Sequence, residues 1–224
     1  MADNPDLGLV LQFLSRLSKN NNRQWFETNK AEYEKAMAQF EIFVGRLIAG
    51  LSKVEDLDGV SPRDCIMRIY RDVRFSRDKS PYKTGLGAGI APGGKKSGRL
   101  GFHVHLAPNG ATMIAGGMWD PTPQHLSRFR EAISSDARSF KKILNSSAFK
   151  SHFGQLTGDA LKTVPKGYPA DHPDLELLRQ KQVCASETFK DEVVVSSKFS
   201  EMAVVSLKAL KPFIDYLNDV AVGL

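Results

Sequence analysis

The segment Arg68 to Lys83, Arg-Ile-Tyr-Arg-Asp-Val-Arg-Phe-Ser-Arg-Asp-Lys-Ser-Pro-Tyr-Lys, sets six Lys or Arg against two Asp, with Tyr70, Phe75 and Tyr82 among them. Guanidinium forks match phosphate or carboxylate oxygens, and a neighbouring ring can stack on a base. Arg68, Arg71, Arg74 and Arg77 recur every third residue. On a strand that spacing alternates faces, so all four meet one ligand only where the chain turns. A loop starting near Asp72 would let Arg74, Arg77, Lys79 and Lys83 converge on an anion, with Tyr82 or Trp119 stacking on it. The competing reading is internal: Arg71 and Arg74 pair with Asp72, Asp78 or helix carboxylates and lock the loop.

His103 and His105 form the second constellation. At i and i+2 on a strand they share a face, which suits two metal ligands or an acid–base pair. A metal needs a third ligand, and Asp120, His125, His152 and His172 are all distant in sequence. No metal site is therefore expected, and the two histidines are the acid–base candidates or plain polar residues of a sheet face. Gly89-x-x-x-x-Gly94-Lys95-Lys96 falls short of a phosphate-binding P-loop. Lys96 stands where Ser or Thr should hold magnesium, Pro92 interrupts it, and a strand follows where a helix should. Gly85-x-Gly87-x-Gly89 lacks the dinucleotide spacing and instead marks a bend or a close backbone approach. Pro165-Lys166-Gly167-Tyr168 with Asp171-His172 reads as a long connection pinned by Tyr168, or as a lid over the basic face. Serine nucleophile elbows and paired catalytic carboxylates are absent.

The elements that must position these groups follow from periodicity. Leu9, Val10, Phe13, Leu14 and Leu17 predict a helix over 6–18. Asn21 with Gln24 looks like the cap of a long helix from Arg23 to about Ser52, striped by Tyr33, Met37, Phe40, Val44, Leu47 and Leu51. Residues 61–75 fit a helix start at Ser61-Pro62-x-Asp64 or a strand at 64–71; β-branched content favours the strand. Leu86–Ala91 reads as a strand. Gly101–Ala107 and Ala111–Met118 make a hairpin around Pro108-Asn109-Gly110, with Phe102, Val104 and Leu106 on one face. Helices follow from Thr122-Pro123 and Ser135-Asp136, then short helices, a strand over 182–189 and a helix over 198–220. Helices, antiparallel strands, then helices give an α+β class, with the sheet packed by N-terminal and C-terminal helices in a single domain over 1–224.

The net charge of +6 is unevenly placed: Arg63–His105 carries +7 and the remainder −1. That asymmetry points to an anionic partner. Cys65 and Cys184 are far apart and form no Cys-x-x-Cys pair, so no thiolate zinc site is expected, and both read as small buried hydrophobes of a reducing compartment. No signal peptide or membrane-length apolar run occurs, so a cytoplasmic location is the default.

Four stretches share an order with one family: Asn-Asn-Asn-Arg-x-Trp-Phe-x-x-Asn-Lys at 20–30, Arg-Asp-Val-Arg-Phe-Ser-Arg-Asp-Lys-Ser-Pro-Tyr-Lys at 71–83, Gly-Gly-Met-Trp at 116–119, and Pro-Lys-Gly-Tyr at 165–168 with Asp-His-Pro at 171–173. Together they resemble the family called Domain of Unknown Function 2461, which occurs in bacteria and fungi. The resemblance covers nearly the whole chain and implies one domain. It carries over no activity, cofactor or site residue.

The residues favour an anionic small molecule held by Arg68, Arg71, Arg74, Arg77, Lys79 and Lys83 with Tyr82 or Trp119 stacked on it, and His103 or His105 for acid–base work. The alternative is a nucleic-acid-binding module using the basic 68–99 segment, and a third reading is a scaffold whose basic face meets an acidic protein. The sequence names no cofactor and no oligomeric state.

Overall fold

The computed structural model describes residues 4–223. The fold is α+β, with a four-stranded antiparallel sheet in the order β1-β2-β3-β4: β1 Leu86–Ile90, β2 Phe102–Leu106, β3 Thr112–Met118 and β4 Val183–Phe189. By internal packing the chain divides into two compact units. One comprises the chain through Ser97, His103–Ile114 and Thr188–Val205; the other comprises Gly98–Phe102, Ala115–Glu187 and the chain from Ser206.

In the first unit, α1 (Leu7–Lys19) buries Val10, Phe13, Leu14 and Leu17 as its spacing predicts, and Asp6 caps it by accepting from Leu9 N–H at 3.0 Å. The long helix expected from Arg23 is two helices, α2 (Arg23–Thr28) and α3 (Lys30–Leu51). Asn29 separates them. Its amide donates to the Trp25 carbonyl at 2.8 Å, so a side chain takes a carbonyl that helical N–H groups also seek. The cap of α2 is Asn22, which accepts from Trp25 N–H at 2.9 Å, not Asn21. Asn21 is engaged elsewhere: its Nδ2 donates to the Tyr82 carbonyl at 2.9 Å and its Oδ1 accepts from Tyr82 N–H at 3.1 Å. Phe40, Val44, Leu47 and Leu51 of the predicted stripe are fully buried, while Tyr33 and Met37 are half-buried.

The strand expected at 64–71 does not form as such. Ser61 and Asp64 make a capping box around the short helix α4 (Pro62–Cys65), so the helix-start signal wins its first half. The chain then runs extended along 82–88 through isolated bridges, Ile66 to Ala88 and Tyr70 to Tyr82, and the bonds Met67 N–H to Gly87 O and Lys83 N–H to Ile69 O. The β2–β3 hairpin forms as predicted, with left-handed Asn109 (φ 64°) and Gly110 (φ 71°) at its turn. Its turn N–H groups at 109 and 110 are taken by the Asp191 carboxylate, at 2.9 and 2.8 Å. Asp191 opens a short helix, α9 (Asp191–Val194), that periodicity does not reveal. Phe199, at the start of α10 (Phe199–Leu217), stacks on Phe43.

The second unit holds α5 (Pro123–Ser135), capped by Thr122 as expected, then α6 (Arg138–Leu144), α7 (Ser147–Phe153) and α8 (Leu175–Leu178). Phe129, Phe140, Phe149 and Phe213 are fully buried and in ring contact. The Gly116-Gly117 pair is required by close approach. A Cβ at Gly116 would lie 2.7 Å from Ile214 Cδ1, and one at Gly117 (φ +115°) 2.2 Å from the Val183 carbonyl oxygen. The predicted C-terminal helix ends at Leu217 and continues as a π-helical stretch, Asn218–Val222.

Gly117→Ala meets backbone and a disfavoured φ together. It is expected to lower stability by about 3 kcal/mol or more, against about 1 kcal/mol for Gly110→Ala, whose added Cβ meets open space. Urea unfolding midpoints of the two variants check this order, and the reverse order would refute the close contact at Gly117.

Candidate functional site

The site is built on β1 and β2. Phe102, Val104 and Leu106 are buried, which turns His103 and His105 to the other face, as the alternation predicts. There the imidazoles lie over the glycines of the neighbouring stretch. A Cβ at Gly85 would stand 2.4 Å from His105 Cε1, and one at Gly87 would stand 3.5 Å from His103 Cε1. The glycine alternation therefore makes room for two rings, which are parallel within 16° at 6.4 Å. Burial, the neighbouring His105 and the Lys83 charge push the His103 imidazole down to about 4. Burial and Lys83 lower His105 as well. Both rings are thus neutral at pH 7, able to accept a proton or donate one hydrogen bond.

Lys83 connects this pair to the basic segment. It lines two hollows. One, of about 770 Å³, also includes Tyr33, Glu41, Met67, Arg68 and Lys95; the other, of about 450 Å³, includes Asn21, Arg71, Asp78, Tyr82 and His105. Burial and the nearby Arg68 charge lower the Lys83 ammonium below the usual lysine value. Lys95 is occupied by the carbonyls of Arg63 and Asp64, at 3.0 and 2.9 Å, and Arg63 lies 4.0 Å from Glu41. Arg68 and Lys83 have no ion-pair partner among the described residues. Two like charges thus stand together outside any ion pair, with Glu41 in the same hollow but drawn to Arg63, and Asp72 near enough to feel the Arg68 charge but bonded to Arg74.

The expected convergence of Arg74, Arg77, Lys79 and Lys83 is replaced by this different grouping. Arg71 pairs with Asp78 and donates to the Ser80 carbonyl at 3.1 Å. Arg74 pairs with Asp72 at 2.7 Å, and the Lys79 ammonium donates to the Val73 carbonyl at 2.9 Å. The Arg68–Lys83 segment therefore spends three of its six cations on its own fold. Arg77 is exposed. Tyr82 is not a stacking platform: it is 2% exposed and stacked on Phe26 at 4.0 Å. Trp119 is 70% exposed, but it belongs to the second unit, where its carbonyl accepts from Gln182 at 2.9 Å. The 165–173 connection is likewise in the second unit, with His172 accepting from Asp174 N–H at 3.0 Å.

One polar cluster of the second unit escapes sequence reasoning. His152 Nδ1 lies 3.0 Å from Glu187 Oε2 and 3.2 Å from Ser206 Oγ, and Ser206 also donates to Glu187. These residues are 35 and 54 positions from His152, and no local pattern joins them. The arrangement is unsuited to nucleophilic attack. The serine proton goes to the carboxylate, both partners meet the same ring nitrogen, and the hydroxyl is buried at 1%. It ties α7, β4 and α10 together. Cys65 and Cys184 are free and buried, and burial raises their thiols to about 11 and about 12, which removes thiolate chemistry at neutral pH. No group of three His, Cys, Asp or Glu that could hold a metal occurs among the described residues.

The His103 shift has a measurable consequence. Between about pH 6.5 and 4 the unfolded ring binds a proton and the folded ring does not, so stability falls as pH drops through that window. The loss is about 3 kcal/mol at most, at about 1.4 kcal/mol per unit. Asp78 and Asp136, held down to about 2 by hydrogen bonds and arginine, act only below their ordinary value of 3.8. His103→Gln is expected to reduce the fall of the urea midpoint between pH 6.5 and 4, leaving the smaller slope that His105 contributes, and an unchanged slope would refute the buried neutral ring.

None of the curated proteins and none of the solved structures matches this chain. One sequence family does, and its model extends from the first helix nearly to the end of α10, taking in the glycine strand, the histidine strand and the basic loop. On that match over residues 9–216, the chain belongs to the family described as "Conserved hypothetical protein (DUF2461)".

Proposed function

We propose that this protein binds a small molecule bearing a phosphate or carboxylate on the face formed by Arg68, Lys83, His105 and His103. The observation that carries this reading is the meeting of two cations, neither held in an ion pair among the described residues, at the edge of a hollow of about 770 Å³. Lys83 is partly desolvated beside the exposed Arg68, and an anion between the two relieves the repulsion. An Arg fork and a Lys point charge together suit such a group. The neutral imidazoles beside them add hydrogen-bond partners and a proton acceptor, so proton transfer on the bound molecule is within reach of the same face. The two buried free thiols suit a reducing environment, and a cytoplasmic site of action is part of this proposal.

A thermal-shift series at low salt tests the proposal with inorganic phosphate, nucleotides, sugar phosphates and dicarboxylates. A ligand at a hundredfold excess over its Kd is expected to raise Tm by about 5–10 °C. Arg68→Ala and Lys83→Met should each abolish the shift and remain folded, whereas Arg74→Ala, whose guanidinium is already held by Asp72, should retain it. Shifts that survive both site variants would overturn the assignment, as would a panel that produces none.

A further inference from the structure

The most exposed large hydrophobic side chain described is Phe75, at 96%. It stands in the loop between Arg71 and Ser80, and that loop is braced to hold it out. Arg71 reaches across to Asp78, to the Ser80 carbonyl and to Ser76 Oγ. Asp78 accepts from Ser80 N–H at 2.9 Å, Lys79 closes on the Val73 carbonyl, and Asp72 accepts from Arg74 N–H at 3.2 Å. A Phe ring left in water forgoes the free energy that burial would recover. Here a cross-braced loop presents the ring to solvent. The Arg74 guanidinium lies 5.8 Å from the Phe75 ring centroid, Arg77 is exposed two residues on, and Tyr70 is 53% exposed.

We infer that this loop is a docking surface for single-stranded nucleic acid, with Phe75 stacking on a base and Arg77 contacting a flanking phosphate. Every base offers a π-face, so one aromatic platform with adjacent guanidiniums binds strands with little sequence preference. The charge of the surrounding Arg63–His105 segment, +7, complements a polyanion. An anionic membrane surface is the less suited partner. The loop offers one fully exposed apolar side chain, with Val73 half-buried, and so has little hydrophobic area to insert. This surface is distinct from the small-anion face, whose test reads Arg68 and Lys83.

The experiment is fluorescence anisotropy of the full chain with labelled oligo(dT) and oligo(rU) across a salt series, with vesicles of anionic and of neutral phospholipid in parallel. The intact protein is expected to bind both oligonucleotides, more weakly as salt rises. Phe75→Ala should weaken binding about tenfold without altering the salt slope. Arg77→Ala should lower the slope by about one. Phe75→Trp should preserve binding, with its emission quenched on complex formation. Three outcomes would overturn the inference: no oligonucleotide binding at low salt, an affinity unaffected by Phe75→Ala, or binding to anionic vesicles alone.

Discussion

The candidate site depends on how one side chain reads a distant backbone. Asn21 both donates to and accepts from Tyr82, in the manner of a neighbouring strand, across 61 residues. Tyr82 is fixed further by its stack on Phe26, one helix turn beyond the Asn run. Those contacts set the course of the chain as it enters β1. From there Lys83 is placed at the rim of both hollows, and Gly85 and Gly87 pass beneath the two imidazoles. A Cβ at Gly85 would stand in the His105 ring, so the polar face exists because that strand has no side chains to fill it.

Charge in the basic segment serves two purposes. Ion pairs this exposed contribute little to stability. Arg71 with Asp78, and Arg74 with Asp72, act instead as shape constraints on a ten-residue loop that has few buried apolar groups. Arg68 and Lys83 are not used that way. They stand beside neutral histidines whose protonation is opposed by burial and by Lys83 itself. The result is a face that is positive at its edge and uncharged at its centre. Under the proposed function, such a face would hold an anion with a proton acceptor beside it.

The Ser206, His152 and Glu187 cluster shows how residue types alone can mislead. Its composition is that of a nucleophilic triad. Its connectivity is that of a clamp, because the hydroxyl proton points to the carboxylate and the serine is closed off from solvent. Reaction requires an exposed nucleophile whose proton faces a base.

The sequence by itself determined the elements whose signals are local. The stripe of α1, the Asn-Gly hairpin and the shared face of His103 and His105 opposite Phe102 and Val104 all follow from spacing of two or about four residues, and all are present. It also offered both outcomes for the loop arginines, but no way to choose, since pairing depends on which carboxylate the turn brings near. Tertiary structure alone decided what rests on distant partners: Asn21 spent on Tyr82 rather than on a helix cap, Asp191 closing the hairpin turn, and Tyr82 buried on Phe26 instead of offered to a ligand. The identity of the free cations was decided the same way. Arg68 and Lys83 make no ion pair because the nearby carboxylates go elsewhere, Glu41 to Arg63 and Asp72 to Arg74, a property of the assembled surface that no spacing along the chain encodes.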